Sequence, residues 1–159
     1  MFAEPQNEHR WLEALLGTWT SEAECAMGPD QQPSKTRGRE TVRSLGGLWI
    51  VAEGKGEMPG GGEAIMLLTL GYDPARQRFI GSWIGSMMTH MWVYEGTLDA
   101  SGKVLTLDTT GPDFEKGSGT RRYQDIITLN EDGSRTLASR ILGENGEWQH
   151  IMRADYRRA

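Results

Sequence analysis

The sequence predicts an all-β fold: an antiparallel up-and-down β-barrel of about ten strands, closed or nearly so, with one short helix at its N-terminal end. Three observations predict it. After Gly17 the helical apolar period disappears, and turn formers punctuate the chain about every ten to fifteen residues. No stretch between those turns is long enough for a crossover helix, so neighbours in sequence pair as antiparallel hairpins. Ten short strands in one sheet leave two exposed edges unless the sheet closes on itself. A two-sheet sandwich is the competing all-β arrangement.

The elements follow in order. Residues 7–16 read as the helix, because Trp11, Leu12, Leu15 and Leu16 recur at helical spacing, Asn7 can cap the first turn and Gly17 can end the last. Strands are expected at 18–27, 35–45, 48–57, 64–72, 78–86, 89–99, 103–109, 120–130, 134–142 and 147–157. The breaks between them are Gly28-Pro29-Asp30, Gly46-Gly47, Pro59 to Gly62, Asp73-Pro74, a weak one near Ser86, Ser101-Gly102, Gly111 to Gly119, Asp132-Gly133 and Asn145-Gly146.

The 159 residues have the length of one domain, expected to span 1–159, and can bury a core without staples. With 17 Lys and Arg against 22 Asp and Glu, the formal charge of −5 argues against a nucleic-acid partner, which needs a basic field over the phosphates. Cys25 is the only cysteine, so neither an intrachain disulfide nor a thiolate zinc cluster can form. His9, His90 and His150 lack ligand spacing, so no metal centre is expected. No secretory leader and no membrane-length apolar run is visible, which makes the cytoplasm the expected location.

The helix is followed at once by Leu16-Gly17-Thr18-Trp19, which looks like the Gly-x-Trp opening of the lipocalin-like, or calycin, barrels. Glu40-Thr41-Val42, Leu70 to Pro74, Gly81 to Met87, Glu95 to Leu98 and the Tyr123-x-Asp125-x-Ile127-Thr128 run extend the match over roughly residues 9–157. Together they resemble a bacterial family of uncharacterised calycin-like domains, classed only as a domain of unknown function. The resemblance implies a barrel with Trp19 across its floor and no established activity. Nitrobindin, a haem-binding barrel, is a more distant resemblance and implies a haem ligand at His150.

Period-two alternation sorts each strand into an inner and an outer face. On that reading Trp19, Glu40, Glu53, Trp83, Glu95, Arg121, Tyr123, Asp125 and His150 face inward and are the candidate ligand-binding residues. Glu53 is placed with Trp49 and Val51, Glu95 with Met91 and Val93, and His150 with Trp148, Met152, Ala154 and Tyr156. Isolated ionised carboxylates in a dry interior cost several kcal/mol, of order 3 or more, so inward acids imply pairing, protonation or a wet cavity. Arg153, Arg157 and Arg158 read as a solvated face, and Met87, Met88 and Met91 as ordinary core.

The expected function is binding of a small molecule in the barrel interior, with no covalent chemistry and no cofactor. An enzyme using the interior Glu, Asp and His as general acid and base is one alternative, and a haem protein using His150 is another. Residues 64–72 and 78–92 are apolar on both faces, which predicts a homodimer covering the outer one.

Overall fold

A computed structural model describes residues 1–25 and 34–159. The expected turn at Gly28-Pro29-Asp30 lies outside the described residues. Ten strands form one closed antiparallel barrel: β1 (Gly17–Cys25), β2 (Ser34–Leu45), β3 (Trp49–Glu57), β4 (Glu63–Asp73), β5 (Arg78–Gly85), β6 (Trp92–Leu98), β7 (Val104–Pro112), β8 (Thr120–Leu129), β9 (Arg135–Leu142) and β10 (Trp148–Arg158). Each strand pairs with its sequence neighbours, and β1 closes the ring by pairing with both β2 and β10. Closure satisfies the backbone donors and acceptors that an open sheet would leave at its edges. The sandwich alternative is thereby excluded.

The N-terminal element is shorter and tighter than its apolar period implies. A single α turn and a half, α1 (Asn7–Trp11), passes into a 3-10 turn at Leu12–Leu15. The cap is not Asn7 but the preceding residue: the Gln6 amide donates to His9 Nδ1 at 2.9 Å, while the Asn7 amide oxygen accepts from Arg10. The tighter turn brings Leu12 and Leu15 onto the barrel floor and delivers Leu16 extended into β1. His9 anchors the other side, with Nε2 3.1 Å from the Tyr72 carbonyl oxygen.

Because β1 leaves the helix, its start marks the floor and its end the mouth. The floor half is a dry core built from Leu12, Leu15, Trp19, Val42, Ile50, Leu70, Phe79, Leu105 and Ile127, all nearly without exposure. Burying each such side chain stabilises the fold by roughly 1.5–3 kcal/mol. The Trp19 indole N–H donates to the Leu15 carbonyl at 2.9 Å, so the ring crosses the floor without leaving a polar atom stranded. Gly17 stands at φ +116°, and a Cβ there would lie 2.9 Å from the Arg158 guanidinium. The Gly-x-Trp triplet therefore has a double physical cause: backbone that disfavours other residues, and a cation pressed against it.

Arg153, Arg157 and Arg158 are all exposed, as the solvated-face reading expects, but Arg158 also has a structural task. Its guanidinium lies 4.2 Å from the Trp19 ring centroid and donates to the Leu16 and Ala14 carbonyls at 2.7 and 3.1 Å. It closes the barrel bottom by satisfying carbonyls at the end of the helix. The methionines also divide: Met88 packs against the core, while Met87 and Met91 are exposed. They belong to a turn longer than expected, so β6 begins at Trp92 instead of residue 89.

Candidate functional site

The barrel register decides which side chains reach the lumen, because residues directly opposite each other in neighbouring strands share a face. Trp19, Glu40, Trp83, Arg121, Tyr123 and Asp125 lie on the inner face, as the alternation predicts. Glu53, Glu95 and His150 do not, and their inward placement is corrected.

Glu53 shares the outer face with Trp49 and Val51, while the inner set of β3 is Ile50, Ala52, Gly54 and Gly56. Both faces begin apolar, so alternation alone cannot orient this strand. Trp49 is on the outside because it covers the bare backbone of Gly71, where a Cβ would meet its ring at 2.3 Å. Glu53 instead lines an open outer groove of about 560 Å³ with Arg37, Arg39 and Lys55. On β6 the inner set is Trp92, Tyr94, Gly96 and Leu98, and exposed Glu95 pairs outside with Arg76 at 3.4 Å.

His150 is displaced by a β-bulge. His150 opposes Arg140 and Met152 opposes Ser139, which leaves Ile151 as an extra residue on β10. One inserted residue exchanges the faces of everything on one side of it. Met152, Ala154 and Tyr156 therefore face inward as expected, whereas Trp148 and His150 face outward and His150 is exposed. The haem ligand that the nitrobindin resemblance implies has no counterpart in the lumen at this position.

Three levels of polar chemistry remain inside. Lowest is an ion pair between Arg135 and Glu40, nearly removed from solvent. The Arg135 guanidinium sits between two rings, 4.7 Å from the Trp19 centroid and 4.0 Å from that of Tyr156. Its Nε has no hydrogen-bond partner among the described residues. Losing one member of such a buried pair strands the other, at a cost of about 3–5 kcal/mol. Burial, and then the Glu40 charge, push the Tyr156 hydroxyl far above its ordinary pKa, so it stays protonated.

At mid-height Asp125 receives two hydroxyls, one on each carboxylate oxygen: Tyr94 donates to Oδ2 and Ser139 to Oδ1. Burial raises the Asp125 pKa, and the two hydrogen bonds offset part of that rise. Burial also raises that of Tyr94 well above the usual tyrosine range, and the neighbouring carboxylate adds to it. Such a group can accept a donor from a bound molecule, or exchange a proton with it.

At the mouth, Arg121 donates from Nε and Nη2 to the Leu142 carbonyl at 3.1 and 2.8 Å and from Nη1 to Glu115 at 2.9 Å. The Tyr123 hydroxyl donates to the Pro112 carbonyl, and the Trp92 ring meets Tyr123 edge-on at 4.9 Å. These contacts fix the β7–β8 connection, not a lumen group. Trp83 is half-buried on the inner face, and Cys25 is half-buried at the mouth end of β1, where burial raises its thiol pKa.

Sequence reasoning missed Arg135, Tyr94 and Ser139. Arg135 stands two residues after Gly133 in phase with Leu137 and Ile141, so its period was available, but an arginine beside a turn defaults to the surface. Among the described residues no group of three or more His, Cys, Asp or Glu could hold a metal ion, and no helix is long and apolar enough to cross a membrane.

Ser21, Ala23, Gly38, Gly54, Gly56 and Ala64 are small inward positions of β1–β4, with the Met66 side chain lying against Gly54 and Gly56. Across from them Asp125, Ser139, Met152 and Tyr156 point inward yet keep part of their surface accessible.

Comparison with solved structures returns the same architecture. Rv2717c from M. tuberculosis aligns with a TM-score of 0.66 at 14% identity, covering 98% of this chain and 99% of that one. The S-type phycobiliprotein lyase CPES from Guillardia theta aligns at 0.59 and 14%, covering 98% of each. EF1p2_mFAP2b, solved bound to DFHBI, aligns at 0.51 and 13%, covering 96% of this chain and all of the other. At these identities the likeness shows the fold alone. No curated protein matches the sequence. Residues 4–158 match the family described as "Protein of unknown function (DUF1579)".

Proposed function

This chain belongs to the DUF1579 family, and from the lumen of its barrel we propose that it binds a small molecule between the small-residue wall of β1–β4 and the polar wall of β8–β10. The observation that carries the reading is the accessible surface kept by Asp125, Ser139, Met152 and Tyr156 although all four point inward. An eight-stranded barrel leaves room for side chains or one small ligand, and the diameter grows with strand number, so ten strands leave more. One solved neighbour was captured with DFHBI and another is a phycobiliprotein lyase, which supports the use of this architecture around small molecules. The candidate lining is Trp83 and Asp125 from the alternation, joined by Tyr94, Ser139, Met152 and Tyr156. Trp19 and Glu40 form its floor with Arg135.

Native mass spectrometry of the purified protein is the direct test. A retained small-molecule mass is expected in wild type and should be absent from Ala23→Trp, which fills the lumen from β1. A mass retained equally by a folded Ala23→Trp would place the ligand elsewhere and overturn the reading.

A second copy of the chain is the proposed partner. Ile65, Ile84 and Val93 stand exposed on the outer face of three adjacent strands, β4 to β6, and Met87 and Met91 extend the patch.

A further inference from the structure

We propose that the lumen selects a ligand carrying a cationic nitrogen, with the Asp125 carboxylate as its anchor; the proposal rests on the lumen reading above. The argument is a census of charge inside the barrel. Three charged side chains face the middle and lower lumen, Arg135, Glu40 and Asp125, and below them at the floor Arg158, opposite Trp19, is held by the Leu16 and Ala14 carbonyls. Arg135 and Glu40 are spent on each other. Arg121, the inward arginine of β8, is turned to the Leu142 carbonyl and to the acids Glu115 and Asp113.

Asp125 is left with neutral partners only, the hydroxyls of Tyr94 and Ser139. Among the described residues no Lys, Arg or His lies within 4 Å of it, and residues 26–33 contain none of the three. One hydroxyl on each oxygen occupies half of the acceptor sites of a carboxylate. Among the described residues nothing donates to the remaining lone pairs.

The surroundings suit an organic cation better than a hydrated metal ion. Met152 and the Tyr156 ring keep accessible surface on the inner face, while among the described residues Asp125 is the one mid-lumen carboxylate without a cationic partner. Cations are attracted to ring faces as well as to the carboxylate. A charged nitrogen that donates to a carboxylate makes the stronger, charge-assisted class of hydrogen bond, which a hydroxyl of the same shape does not. An anion would meet Asp125 with Arg135 already neutralised by Glu40, so the lumen discriminates against it.

The test compares three molecules of nearly one shape: 2-naphthylmethylamine, 2-naphthylmethanol and 2-naphthoate, each titrated into wild type by calorimetry at neutral pH. The amine is expected to bind at least about tenfold more tightly than the alcohol, or ~1.4 kcal/mol, with the carboxylate weakest. In Asp125→Asn the amine should fall to the affinity of the alcohol, whose own affinity should be unchanged. Equal binding of amine and alcohol to wild type, or an amine preference that survives in Asp125→Asn, would overturn the proposal. The wild-type ranking decides the matter even if the variant does not fold. The lumen reading fails separately: binding of all three that persists in folded Ala23→Trp, or no binding of any, removes the site itself.

Discussion

Asp125 is the residue whose environment most departs from that of an ordinary acid. Its folded pKa is raised, chiefly by burial. Below the unfolded value of about 3.9 both states hold the proton, and the group has no pH-dependent effect on stability. As pH climbs from there through the folded value, the unfolded chain releases the proton first, so folding loses free energy across that window. Asp125→Asn removes the titration. The melting temperature of the variant relative to wild type should therefore rise between about pH 4 and pH 7, by about 2–4 °C for each kcal/mol relieved. Thermal melts of both proteins across that range check it; a constant difference would show that the carboxyl does not titrate in a perturbed environment.

Two elements show how local backbone geometry overrides pattern. The bulge in β10 reverses the faces of Trp148 and His150 without any mark in the sequence, since Ile151 is as good a strand residue as its neighbours. The start of β1 is the opposite case, where Gly17 is legible and its cause is structural. Gly17→Ala forces a side chain into positive φ and against Arg158, and is expected to destabilise the fold by about 1–3 kcal/mol. Part of that loss is the contact and part the dihedral. In an Arg158→Ala background the additional effect of Gly17→Ala should shrink, so denaturant titrations of the four proteins should give a non-additive cycle. Additive losses would mean that Arg158 and Gly17 do not press on each other.

For the molecule as a whole, the architecture was legible because turns and alternation report on the backbone directly, and the β1 opening identified the floor. The interior was legible where one face was plainly polar, as on β2 and β8, which placed Glu40 and Asp125 correctly. It failed on β3 and β6, where outer positions are apolar as well. Trp49 covers Gly71 and Val93 lies in an exposed apolar patch, so hydrophobicity there marks a covered outer surface instead of the core. The same patch predicts association. Ile65, Ile84, Met91 and Val93 are 48%, 41%, 56% and 63% exposed. Light scattering at micromolar concentration is expected to give twice the 17.7 kDa chain mass, and Ile84→Glu with Val93→Glu should halve it. A wild-type protein of single-chain mass over the whole range would leave the patch unpartnered by its own kind.

The pairing of β1 with β10 also sets the order in which the barrel can assemble. Every other pair of neighbouring strands is consecutive in the chain and can form as a local hairpin, with little loop entropy to overcome. The seam joins Trp19 to Arg158 and Cys25 to Met152, with the rest of the barrel strung between them. Contacts of that sequence separation slow folding, because the intervening chain must already be organised before they form. On a ribosome, β1 waits with an unpaired edge until β10 has emerged, and Trp19 waits with it for the arginine that completes its cover. The seam is thus the step at which the nascent protein is most open to pairing with another chain, and the step that a chaperone would have most reason to guard.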